Sequence, residues 1–203
     1  MDNTSNVLYD ALPQEWNGYS INWWFQIGIQ IYLVSEDCTL ADFEKTEIIL
    51  DLLFSDEKPE NVIEVEECIT WFLNGWNHDR SPREKEKKRL LDFHKDQWRI
   101  YADFRQIYGI NLNETENLHW WEFMGMLWNM PHKQSSFLQV IEIRRKKIES
   151  KMSKKERDAI KKAQFIYGLD DKKEQQQRIY SKEEAEKIDA VDEIRKRMKA
   201  RNS

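Results

Sequence analysis

A mainly α-helical protein with one small N-terminal β-hairpin is what this sequence predicts, and three observations predict it. Apolar residues recur at three- and four-residue steps from about residue 22 to residue 168, the period of one face of an α-helix. Glycine and proline number only 6 and 4 in 203 residues, too few for a loop-rich sandwich or a Gly-rich nucleotide-binding fold. The step Asn17-Gly18, flanked by Trp16 and Tyr19, is the strong hairpin signal, because both residues tolerate the positive φ of a two-residue turn.

The elements follow in order. Asn22 is placed to cap a helix from Trp23 to about Val34, and Thr39 with Asp42 resembles a capping box opening a helix over Leu40–Phe54. Pro59 suits the first turn of the next helix, in which Val62, Val65, Ile69, Phe72 and Trp76 step 3, 4, 3, 4. The run His78–Arg89, HDRSPREKEKKR, reads as a polar link into a longer helix ending at Tyr108, with Gly109 as the left-handed residue beyond it. A tryptophan-rich helix covers about Asn117–Asn129. Ser135 or Ser136 caps a helix from Phe137 to about Ser150, and Ser153 caps a basic one that stops at Gly168. From Asp170 the chain has no Gly, Pro or Trp; Ser181 and Glu184 form a second capping box, and Ile188, Val191, Ile194 and Met198 make a stripe too narrow to build a core alone. The expected organisation is a compact multi-helix domain over residues 1–168 and a charged, partly helical C-terminal extension over residues 169–203.

Composition narrows the function classes. A content of 40% hydrophobic and 12% aromatic residues supports one real core, while 34% charged residues and a mean hydropathy of -0.83 require extensive solvated helix surface. Cys38 and Cys68 are too few for a disulfide framework and suit a reducing cytosol. No basic-then-apolar leader opens the chain, and the most apolar window, Ile21–Val34, is interrupted by Asn22, Gln26 and Gln30 and too short to span a bilayer, so no membrane is expected. The net charge of -5 hides an asymmetry: residues 1–80 sum to -13 and residues 81–203 to +8. Such halves attract each other or opposite partners. The lysines of the second half alternate with glutamates instead of forming a clean stripe, which makes nucleic acid the lesser expectation.

The stretch Leu118–Pro131, LHWWEFMGMLWNMP, concentrates three tryptophans and one histidine. His119 and Glu122 stand three apart, on one helix face. A di-iron carboxylate site needs Glu-x-x-His twice with two further glutamates; here the order is reversed and occurs once. There is no His-Glu-x-x-His, no Cys-x-x-Cys, no phosphate loop, no dinucleotide fingerprint and no nucleophile elbow. Neither a metal, a cofactor nor a catalytic residue is therefore assigned, and His119 reads as a first-turn residue whose ring packs and hydrogen-bonds locally. Trp120, Phe123, Leu127 and Met130 step as a core stripe. Trp121, Met124 and Trp128 form a second stripe beside it, which its own domain or another chain must bury.

One polar pair is more specific. Asp96 falls on the stripe of Phe93, Ile100, Phe104 and Ile107, and Arg144 on the face of Phe137, Val140, Ile141 and Ile148. A carboxylate on a buried stripe needs a partner, and a bidentate guanidinium is the best one available. The competing reading places Asp96 at the rim, paired with Arg99 at i+3.

The combination of Asp96, Ile100-Tyr101-Ala102-Asp103-Phe104 and Tyr108-Gly109-Ile110-Asn111-Leu112, then LHWWEF, then Ile141-Glu142-Ile143-Arg144, resembles a protein family of tailed bacteriophages. Its genes precede the tape-measure gene in phages of low-GC Gram-positive bacteria, and it looks like a tail assembly chaperone. The resemblance covers roughly residues 7–167, with the His-Trp-Trp cluster its most specific part. The family's usual Asp after Tyr-Gly-Ile is Asn111 here, which removes a charge and leaves the cap-forming role open. The resemblance implies a non-enzymatic factor of the host cytoplasm, absent from the mature virion. It would bind and solubilise the tape-measure protein in several copies, and yield to tail-tube subunits. Partner-binding residues on this reading are Trp121, Met124 and Trp128, with Ile188, Val191, Ile194 and Met198. The alternative is a phage regulator that binds nucleic acid through the basic C-terminal half.

Overall fold

Two short strands, β1 (Glu15–Trp16) and β2 (Tyr19–Ser20), form an antiparallel hairpin in the computed structural model, with Trp16 opposite Tyr19. Asn17 and Gly18 adopt φ of 49° and 88°, the paired positive values of the turn that matches strand twist. The structure describes residues 6–55, 57–59, 61–77 and 89–169. They group into two compact units, one of Pro13–Trp71 and one of residues 6–12 with 72–169. Among the described residues seven α-helices and this one hairpin form, so the fold is mainly α as expected. The stretch 78–88 of the polar link, and the extension with Ser181, Glu184, Ile188, Val191, Ile194 and Met198, lie outside the described residues.

In the first unit α1 (Phe25–Glu36) and α2 (Asp42–Leu53) pack together, burying Phe25, Gly28 and Ile31 of one and Ile49 and Leu53 of the other. Asn22 is not the cap of α1. Its backbone N–H and side-chain amide donate to the carbonyls of Leu53 and Leu52, at 2.8 and 2.9 Å. It therefore serves the carbonyl-rich end of α2 as a donor, where the sequence suggested an acceptor, and α1 starts later, behind Trp24. Thr39 does not open α2 either. Its N–H and hydroxyl both donate to Asp37 Oδ1, at 2.8 and 2.7 Å, bonds that hold the Asp37 carboxyl below the usual carboxylate range. Glu44 instead reaches back to accept from the Ala41 N–H. Helix α3 (Val62–Asn74) is capped by Asn61, whose Oδ1 accepts from Ile63, so Pro59 lies ahead of the helix and outside its first turn. Val65 and Cys68 are buried, and burial pushes the Cys68 thiol up to about 12, so it stays protonated at neutral pH.

The second unit takes Phe72–Asn74 from the end of α3 and adds α4 (Phe93–Asp103), α5 (Trp120–Trp128), α6 (Ser136–Arg145) and α7 (Lys154–Tyr167). Helix α4 runs on into a π-turn over Phe104–Tyr108, closed by Gly109 at φ 71°, the left-handed terminator read from the sequence. Ser135 caps α6, which stops at Arg145 and not at Ser150. Ser153 and Glu156 form the full capping box of α7.

The core of this unit is aromatic. Phe104 stacks on Phe123 at 5.0 Å and 11°, Trp120 lies against Phe72, Phe93 and Phe123, and Trp128 meets Phe137 edge-on. Trp121 donates its indole N–H to the Phe72 carbonyl at 2.7 Å. Gly75, one turn on, is what admits that ring. A Cβ there would come within 2.0 Å of the indole, and the ring is too rigid to yield. Gly75→Ala should therefore destabilise the protein by about 1–3 kcal/mol through overpacking. Denaturant unfolding followed by tryptophan fluorescence would read it, and an unchanged midpoint would show that the indole can shift.

Candidate functional site

Two aspartates on α4, Asp96 and Asp103, stand seven residues apart, two helical turns and so on one face. Both are buried, with exposures of 0% and 2%. Each meets α6, but through different chemistry. Asp96 takes a bidentate pair from Arg144, Nη1 to Oδ2 at 2.6 Å and Nη2 to Oδ1 at 2.8 Å. Asp103 accepts from the Ser135 hydroxyl, the Ser136 N–H and hydroxyl and the Phe137 N–H, at 2.7–3.1 Å. A carboxylate here satisfies the orphan donors of a helix N-terminus, where the macrodipole also favours negative charge. Because Asp96 near the start of α4 meets the end of α6, and Asp103 at the end of α4 meets its start, the helices run antiparallel. Two polar clamps about 10 Å apart along α4 set their register.

Arg144 is the hub of this arrangement. Besides Asp96 it donates from Nη1 to the Leu90 carbonyl at 2.6 Å and from Nε to the Tyr167 carbonyl at 2.7 Å. The last bond places a cation on the C-terminal carbonyls of α7, the favourable end of that helix. Gln164 reinforces it, donating to the carbonyls of Ile143 and Lys146, and the Arg99 guanidinium lies 5.6 Å from the Tyr167 ring centre. Arg99 also approaches Asp96, at 3.5 Å, so the two sequence readings of Asp96 describe one network, in which Arg144 is the nearer partner.

His119 is the N-cap of α5. Its Nδ1 accepts the Trp121 N–H at 2.9 Å, and its ring meets the Trp121 indole edge-on. The ring is buried at 4% exposure whereas Glu122 is exposed, so the two do not face a common cleft. Accepting an N–H requires a bare Nδ1, the geometry of a cap and not of a general acid at that atom. His119→Ala should cost about 1 kcal/mol, the usual loss of an N-cap, and His119→Asn should recover most of it by restoring an acceptor. Equal losses in both variants, in thermal or denaturant unfolding, would place the value of His119 in ring packing instead.

Trp120, Phe123 and Leu127 are 0–1% exposed. Trp121 and Met124 are buried as well, and Trp128 is half-buried against Phe137. Both aromatic faces of α5 are thus occupied by their own unit, and the partner-binding role read for Trp121, Met124 and Trp128 gives way to a core role. Asn111, whose cap-forming role the sequence leaves open, holds a turn and heads no helix. Its Oδ1 accepts from the Asn113 N–H and the Tyr101 hydroxyl, and its carbonyl from Thr115.

The large apolar side chains that stay outside are elsewhere: Val7, Leu8 and Tyr9 in the N-terminal turn, Trp24 in the first unit, Trp98 on α4, Ile148 in the turn after α6, and Phe165 and Ile166 at the end of α7. Phe165 is 91% exposed. Sequence periodicity singled out only Ile148 among them and placed it on the inward face of α6, which ends before it at Arg145, although Phe165-Ile166 interrupting a lysine-rich helix is a visible signal. Among the described residues no group of three or more His, Cys, Asp or Glu is placed to hold a metal ion, and no helix is long and apolar enough to cross a membrane.

No curated protein and no solved structure is significantly similar to the chain. A family model described as "Bacteriophage Gp15 protein" matches residues 8–169, and the chain belongs to that family.

Proposed function

We propose that this member of the bacteriophage Gp15 protein family is a tail assembly chaperone. On this reading it acts in the host cytoplasm without catalysis or cofactor, and several copies bind and solubilise one tape-measure protein. They are then displaced as tail-tube subunits polymerise along it. The observation that supports this most is the pairing of exposed Phe165, Ile166, Trp98, Leu8 and Tyr9 with a heavily charged surface on the same unit. Apolar anchors surrounded by charge let a protein cover another's apolar helices and stay soluble itself. Each contact can be weak enough to be displaced, because many copies on one long partner add their affinities through avidity.

The test is co-expression with a tape-measure protein, the long helical partner that this reading names. The chaperone reading expects that protein to appear in the soluble fraction and to co-purify. If the intact chain neither keeps it soluble nor co-purifies with it, the reading fails. A chain ending at Gly168 tests the extension, whose Ile188, Val191, Ile194 and Met198 are proposed to lie along a neighbour or the partner. Weaker solubilisation is expected, and equal performance removes that role alone.

A further inference from the structure

The exposed charge of the two units is opposite and concentrated. Arg145 through Lys162 holds nine basic and three acidic residues, all twelve exposed. Pro13–Trp71 holds thirteen acidic and two basic residues, a net charge of -11. Among the acidic side chains Glu47 and Asp51 stand one turn apart on the exposed side of α2, Asp51 also accepting from Lys58 at 2.6 Å, and Glu67 is exposed on α3. Helix α7 carries the basic side in an ordered way. Ile160, Ala163, Gln164 and Tyr167 are partly buried, and Gln164 bonds to the end of α6, so this is the inward face. Lys154, Lys155, Lys161 and Lys162, with Asp158 as the one carboxylate among them, lie on the opposite face and lead along it to Phe165 and Ile166 in the last turn. No residue of α7 is fully buried.

We infer that the outer face of α7 docks onto the acidic unit Pro13–Trp71 of a second copy of this chain, so that copies join head to tail. Charge complementarity selects this occupant. Two α7 faces would repel each other, as would two acidic units, which disfavours a two-fold dimer through either surface. Unlike surfaces on one chain meet either reciprocally in a closed pair or in a heterologous contact, which propagates unless its rotation closes, and continued growth with concentration marks the second. The lysines supply steering and orientation, and Phe165 and Ile166 supply apolar area at the end of the same face. The contact stands independently of what the assembled copies hold.

Sedimentation velocity of the purified full-length chain tests it. Association that grows with protein concentration is expected at about 0.1 M salt and should weaken at least about tenfold at about 1 M, where screening acts within about 3 Å. Two variants sharpen the test, both confined to exposed positions and checked for helix content by circular dichroism. One reverses α7 (Lys154→Glu, Lys155→Glu, Lys161→Glu, Lys162→Glu), and the other reverses the acidic side (Glu47→Lys, Asp51→Lys, Glu67→Lys). Each alone should be monomeric, and their mixture should associate again, because the unlike faces then meet between the two variants. A wild-type chain that stays monomeric at low salt overturns the inference. So does a mixture that fails to associate, since unlike faces would then not be what holds copies together. Tight, salt-sensitive binding of a DNA or RNA duplex by the wild type, lost on reversing α7 and without self-association, would assign the face to nucleic acid instead.

Discussion

Arg144→Ala should lower the unfolding free energy by about 3–5 kcal/mol, the cost of stranding one member of a buried ion pair. The expectation rests on how completely Arg144 is used. Its removal leaves the Asp96 carboxylate charged at 0% exposure and takes the donor from the Leu90 and Tyr167 carbonyls at once. A domain of ordinary stability, about 5–15 kcal/mol, would survive this only narrowly. Asp96→Leu combined with Arg144→Met should be markedly milder than Arg144→Ala, since an apolar pair leaves no orphaned charge. Urea unfolding of the two variants separates the cases. A loss in Arg144→Ala no larger than that in the double variant would mean that Asp96 finds solvent or Arg99 as a sufficient substitute.

Asp103→Ala is the second large effect, expected at about 3 kcal/mol from several buried bonds to one charged acceptor, partly replaced by water. What fails is the start of α6, where the backbone N–H groups of Ser136 and Phe137 both depend on this carboxylate. Asp103→Asn should fall between Ala and wild type. One amide oxygen still accepts, but the amide nitrogen confronts a second donor, and a backbone N–H cannot turn round to accept as a serine hydroxyl can. Hydrogen exchange at the first turn of α6 would register the change locally. Unaltered protection there would show that Ser135 alone sustains the cap.

These two positions also show where sequence reasoning reaches and where it stops. Asp96 and Arg144 were legible because an ionised group on an apolar stripe is an anomaly, and opposite charge names its partner. Asp103 sits on that same face of α4, yet its partner is a helix N-terminus, which leaves no charge in the sequence to match. Gly75 reads as an ordinary helix end, and the indole that requires it comes from far along the chain. Asn22 and Thr39 have the right residue types for caps, but each is engaged elsewhere, Asn22 by the end of α2 and Thr39 by Asp37. Local signals with no competing partner, such as Asn17-Gly18, Gly109 and the Ser153 cap, matched the structure. The second stripe of α5 was ambiguous in principle, because periodicity says that Trp121 and Met124 must be buried and not by what.

On the proposed chaperone reading many copies, acting without catalysis, shield one long apolar helical partner. Dilution of the denatured tape-measure protein from denaturant into increasing amounts of this chain, with no nucleotide present, measures that directly by light scattering. The account predicts that scattering falls in a saturable way, that the end point lies at several copies per partner molecule, and that Phe165→Asp with Ile166→Asp shifts it to higher concentration. Scattering that does not respond to the chain at any ratio would contradict the claim.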